Sequence, residues 1–154
     1  GGGGEATVRE GGVDEAAARE ALGAFDAVLC TLGDAFTAEA FAGAGRARLL
    51  ANFGVGVNHI DLGAARAAGI AVTNTPGAVT DATADVAIML LLMAARRAGE
   101  GERVVRAGRW TGWEPTQLLG RHVTGMTVGI VGFGRIGQAV ARRAHLGFGM
   151  RVLY

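Results

Sequence analysis

The chain has 154 residues, half of them apolar, with 15 basic and 14 acidic side chains and a formal charge of +1. That length admits one domain or parts of two, and scattered charges without a basic block argue against a nucleic-acid partner. All 15 cations are arginines, so no lysine is available within these residues for Schiff-base or phosphate-loop chemistry.

Residues 1 to 12 are rich in glycine, the first four are expected to lack fixed structure, and Ala6 to Arg9 could form one short strand. Asp14 can cap a helix running to about Leu22, and Ala27 to Thr31 reads as a strand. Cys30, the only cysteine, lies in that apolar run and reads as a buried thiol. With no second cysteine no disulfide can form, which fits a reducing, cytoplasmic setting. A capped helix from Thr37 to about Ala42 precedes a strand at Leu49 to Phe53. After the loop Gly54 to Ile60, Asp61 is an N-cap, Leu62 to Ala68 a helix, Gly69 its C-cap, and Ile70 to Thr73 a strand. Strand, helix and strand in that order predict a parallel β-α-β unit.

Asn74-Thr75-Pro76-Gly77 reads as a turn and a hinge between domains. From Thr80 or Asp81 a helix should run to about Arg97, and its apolar residues lie on every side, which predicts burial all round, as in a helix wedged between two domains. Its longest apolar stretch, Val86 to Ala95, is ten residues, about half of the roughly 20 that span a bilayer. No basic region followed by an apolar stretch opens the chain, so neither a membrane span nor a signal peptide is expected. The chain starts with glycine instead of methionine, and both ends read as cuts. A short helix at Glu102 to Ala107 leads to Trp110-Thr111-Gly112-Trp113-Glu114-Pro115.

A strand from about Thr127 then runs into Gly132-Phe133-Gly134-Arg135-Ile136-Gly137, followed by a helix with apolar residues at Ile136, Val140 and Ala144 and a last strand at Met150 to Tyr154. This is G-x-G-x-x-G between a strand and a helix, the context that gives the pattern its meaning. Gly132 permits the tight turn, Gly134 lets backbone approach a pyrophosphate, and Gly137 lets the helix pack closely on the sheet. Free N–H groups at the helix start, favoured by the helix dipole, would receive the phosphates.

Taken together, the segments Asn52 to Asp61, Thr73 to Asp85, Arg109 to Pro115 and Val128 to Gln138 resemble the D-isomer-specific 2-hydroxyacid dehydrogenases. Within that family the likeness is greatest to glyoxylate and hydroxypyruvate reductases. The resemblance implies an α/β fold: a partial flavodoxin-like, parallel-sheet substrate domain over residues 1–76, then the start of a Rossmann NAD(P)-binding domain over residues 77–154, with the buried helix and a dimerisation arm. Substrate and NAD or NADP would bind in a cleft between the domains. The expected activity of the full protein is reduction of a 2-keto acid, glyoxylate or hydroxypyruvate, to the D-2-hydroxy acid. Phosphoglycerate, formate and phosphonate dehydrogenases, and NAD(H)-sensing corepressors, are the alternatives on the same pattern.

For individual residues the resemblance implies the following. Val55, Gly56 and Val57 match the family's carboxylate loop, where successive N–H groups hold the substrate acid; their bland reading is an ordinary strand-to-helix turn. Gly132, Gly134, Arg135, Ile136 and Gly137 face the pyrophosphate, Arg135 otherwise being a solvated helix arginine. Thr83 stands near the nicotinamide half of the cofactor, or else caps or packs its helix. Asp85, where the family more often has Glu, is given no role beyond favouring the helix start. Trp113 would close the substrate pocket of a partner subunit, and with Trp110 it equally suits a plain homodimer interface. His59, His122 and His145 are expected to be structural or surface groups, because the family's catalytic Arg, Glu and His correspond to sequence beyond Tyr154; no metal site is expected and the isolated chain should be inactive.

Overall fold

In the computed structural model, which describes residues 4–154, the two aspartates expected at helix starts both act as caps. Asp14 accepts from Ala17 N at 2.9 Å and opens α1 (Glu15–Ala24); Asp61 accepts from Ala64 N at 2.8 Å and opens α3 (Leu62–Ala67). Each satisfies a donor that the first helical turn leaves over. Asp61→Ala should therefore cost about 1 kcal/mol, read as a lower urea midpoint at unchanged slope. The expectation for Gly1–Gly4 falls, for residues 1–3, outside the described residues.

The chain divides into two compact units, Gly1–Pro76 and Gly77–Tyr154. In the first, β1 (Ala27–Cys30), β2 (Leu49–Asn52) and β3 (Ala71–Thr73) form a parallel sheet in the order β1-β2-β3. The strand expected at Ala6 to Arg9 does not form: these residues are exposed, and among the described residues β1 is paired only along its β2 side. A short extended segment gains little unless a neighbouring strand takes its backbone groups. The core gathers Leu22 of α1, Leu50 of β2, Phe41 of α2 (Ala38–Phe41), Ile60, Ile70 and Phe36. Phe36 also pairs with Ile60 in a lone parallel bridge, so the residues just before α3 are tied to the core by backbone as well as by packing.

The second unit begins with α4 (Thr80–Ala95) and α5 (Ala98–Arg106), and continues through β4 (Thr127–Gly129), α6 (Arg135–Phe148) and β5 (Arg151–Leu153), the two strands being parallel. Two expectations are corrected. α4 is not buried all round: among its described residues only Ala84 is fully buried, and Val86, Met89, Leu90 and Met93 are exposed. Within its own unit, Ile88, Leu91, Leu92 and Ala95 pack into a small core with Val123, Ala144 and Met150, and the rest of the helix surface lies outside that core. In α6 the buried residues are Gly137, Ala139, Ala141 and Ala144, so of the expected Ile136, Val140 and Ala144 only Ala144 is buried. The smaller residues face inward because they permit close approach, which leaves Ile136 38% exposed.

Arg143 of α6 ties the two long helices: its Nε donates to Asp85 at 2.7 Å and its Nη2 to Asp81 at 3.0 Å. Asp85 thus has a structural partner in addition to its place near the start of α4. No helix among the described residues is long and apolar enough to cross a membrane.

Candidate anion and dinucleotide sites

The loop after β2 is organised by its carbonyls. Gly54 O accepts from Thr75 N at 3.0 Å and Asn52 Nδ2 at 3.1 Å; Val55 O accepts from Asn74 Nδ2 at 2.9 Å. Gly56 O accepts from Asn52 Nδ2 at 2.9 Å and Val57 O from Ile60 N at 3.0 Å. Every carbonyl from Gly54 to Val57 is therefore taken by a protein donor, whereas the N–H groups of Val55, Gly56 and Val57 have no acceptor among the described residues. Successive unpaired N–H groups on a fixed loop suit an anion, and need no charged side chain to do so.

Asn52 itself is 2% exposed and sits at the end of β2. Its Oδ1 lies 3.2 Å from His59 Nε2 and 3.7 Å from Cys30 Sγ. Burial first, and then the nearby Asp34 carboxylate, push the Cys30 thiol up to about 11, so at neutral pH it keeps its proton and donates. Cys30 is thus the buried strand thiol its sequence suggests.

In the second unit β4 runs into a turn at Gly132 with φ +91°, a left-handed value that side chains with a Cβ rarely adopt. Gly134 is the N-cap residue of α6, and a Cβ placed on it would meet nothing within 4 Å, so the space in front of the turn is open. At Gly137 the opposite holds: a Cβ would stand 2.2 Å from Gly132 O. The turn and the first helical turn thus touch backbone to backbone, and the N–H groups of Arg135 and Ile136 open α6 without intrahelical acceptors. The open space at Gly134 and the close contact at Gly137 fit a dinucleotide pyrophosphate.

The remaining expected residues are placed separately. Thr83 lies exposed in α4; its N–H donates to Val79 O at 2.9 Å, and Val79, not Thr83, occupies the cap position. Trp110 and Trp113 lie between α5 and β4 and are exposed, Trp113 to 81%. Nδ1 of His145 is 3.0 Å from Met150 O at the end of α6, and His122 is exposed. No cluster of metal-ligating side chains occurs among the described residues. Sequence reasoning gave no role to Asn52 or Asn74. An asparagine directly after or at the end of a strand, ahead of a turn or loop, was the available signal for both, since asparagine side chains bond readily to nearby backbone.

Residues 2–147 match the family model for the D-isomer specific 2-hydroxyacid dehydrogenase, catalytic domain. The chain belongs to that family. As a 2-hydroxyacid dehydrogenase family member it is 52% identical over 130 residues to a glyoxylate reductase of Korarchaeum cryptofilum, a match covering 84% of this chain and 39% of the relative. Among solved structures it resembles the TT0316 protein from Thermus thermophilus, with TM-score 0.84 and 47% identity over 90% of this chain and 44% of the other. It also resembles the D-lactate dehydrogenase from Aquifex aeolicus complexed with NAD and lactic acid, with TM-score 0.75 and 28% identity, covering 87% and 39% of the two chains. This family member therefore spans less than half the length of the relatives it matches.

Proposed function

We propose that this chain carries the substrate-carboxylate nest and the pyrophosphate loop of a nicotinamide-dependent D-2-hydroxyacid dehydrogenase that reduces glyoxylate or hydroxypyruvate. The observation that carries the reading is the loop Gly54 to Val57, with its four carbonyls occupied and the N–H groups of Val55, Gly56 and Val57 open. A 2-keto acid presents a carboxylate, and three adjacent N–H donors at Val55, Gly56 and Val57 would hold it without a counter-ion that competes for the keto oxygen.

Gly132, Gly134 and the N–H groups of Arg135 and Ile136 would hold the dinucleotide, with the exposed Arg135 guanidinium adding charge. The nicotinamide, when bound, supplies hydride chemistry. Whether the cofactor is NAD or NADP turns on an acidic or basic residue at the end of the second Rossmann strand, here β5. Thr83 is read as a neighbour of the nicotinamide, and Trp113 with Trp110 as a homodimer arm that closes the partner's substrate site. His59 and His145 face hydrogen-bond partners that account for them, so proton donation to the keto oxygen is assigned to neither. The setting proposed is the cytoplasm.

The test is a two-ligand titration of the ¹⁵N-labelled chain. Glyoxylate should move the amide signals of Val55, Gly56 and Val57, and NAD or NADP those of Gly132 to Gly137. Unmoved signals at Gly132 to Gly137 with both dinucleotides would overturn the cofactor assignment. The 154-residue chain alone is expected to consume no NADH or NADPH with glyoxylate, and measurable consumption would contradict the division of labour proposed here.

A further inference from the structure

We infer that Asn52 is the positioning residue of the anion nest, and that His59 holds Asn52 in the one amide orientation that leaves the nest open. This rests on the reading of Val55 to Val57 as the carboxylate site. A primary amide has two N–H donors and one oxygen with two acceptor positions. Asn52 uses all of them: Nδ2 donates to Gly54 O and Gly56 O, and Oδ1 faces His59 Nε2 and the Cys30 thiol.

The orientation is dictated by its partners. Two carbonyl oxygens can only accept, so they require the NH₂ end, and the opposite end must then be the oxygen. Because Oδ1 only accepts, His59 must carry a hydrogen on Nε2. Turning the amide over would set its oxygen against the carbonyls of Gly54 and Gly56, at the cost of both bonds that hold the loop, and would need the other tautomer of His59.

The consequence for function follows from which loop atoms Asn52 holds. It binds the carbonyls on either side of Val55, and Asn74 binds the carbonyl of Val55 itself. With these oxygens fixed, the peptide planes cannot rotate to present a carbonyl where an anion would sit. The N–H groups of Val55, Gly56 and Val57 are thereby ordered before any ligand arrives, so binding need not order them.

Three substitutions test this by glyoxylate titration of the ¹⁵N-labelled chain, at constant ionic strength with chloride as the balancing anion. Asn52→Leu keeps the approximate size and removes both donors. It should raise the glyoxylate Kd about tenfold, the factor for one lost hydrogen bond to a charged group, with the signals of Gly132 to Gly137 unchanged. His59→Leu keeps Asn52 and frees its oxygen, and should weaken glyoxylate less than Asn52→Leu does. His59→Gln, whose amide can donate to Oδ1, should restore wild-type affinity. The His59 pair also decides the matter if Asn52→Leu does not fold. Glyoxylate binding as tight as wild type in folded Asn52→Leu, or in His59→Leu, overturns the inference while leaving the nest itself standing. Wild-type chain whose Val55 to Val57 signals ignore glyoxylate overturns the nest reading instead.

Discussion

Alanine at Gly137 is expected to destabilise the second unit by about 3 kcal/mol, the upper part of the range for overpacking a close contact. The added Cβ would lie 2.2 Å from Gly132 O and 3.2 Å from Gly132 C, and both are backbone atoms with no rotamer to yield. A third atom, Ile130 Cγ2, would stand at 3.3 Å. Relief requires moving the turn whose Gly132 has φ +91°, so stability and the pyrophosphate loop should fail together. Urea unfolding followed by the fluorescence of Trp110 and Trp113, both in this unit, reads the first; dinucleotide titration reads the second. Gly134→Ala is the matched comparison. Nothing lies within 4 Å of its Cβ, so the urea midpoint should stay within the scatter of surface substitutions while dinucleotide binding falls. Equal midpoints for Gly137→Ala and wild type would show that the helix does not approach the turn so closely.

Phe36→Ala should remove about 4 kcal/mol from the first unit. Phe36 is among the largest fully buried side chains, its ring centroid is 6.3 Å from that of Phe41, and its backbone bridges to Ile60. Loss of the ring leaves a cavity next to the segment that leads into α3, while Phe36 N and O keep their bonds to His59 O and Asp61 N. The change should thus appear mainly as easier opening of the core. Amide exchange at Leu50, in the centre of the sheet, should quicken about a thousandfold, as that free energy implies. Exchange accelerated by less than about tenfold would mean that neighbouring side chains refill the space.

Much of this architecture was legible in the order of residues. Both aspartate caps, the parallel strands of the first unit and the strand, glycine turn and helix of the second followed from local chemistry: capping side chains, apolar runs and glycines where a turn is needed. The two compact units meet in sequence between Pro76 and Gly77, within the stretch Asn74 to Gly77. Misreadings arose where a neighbour decides the outcome. Ala6 to Arg9 has strand-forming residues but no strand to pair with. α4 has apolar side chains all round, but a helix buries only the faces that something covers, and here α6 and its surroundings cover one.

The sites divide in the same way. Sequence by itself determined the glycine fingerprint, because backbone freedom at Gly132 and the absence of a side chain at Gly137 are properties of single residues that no other residue shares. Tertiary structure alone decided that Asn52, His59 and Cys30 form one network and that Asn74 and Thr75 reach back to the carbonyls of Val55 and Gly54. These partners are separated along the chain by up to 22 positions and meet only because three parallel strands lay their ends side by side. Hydrogen bonds act over about 3 Å, so which amide faces which carbonyl is settled by that alignment and is not encoded in any local pattern.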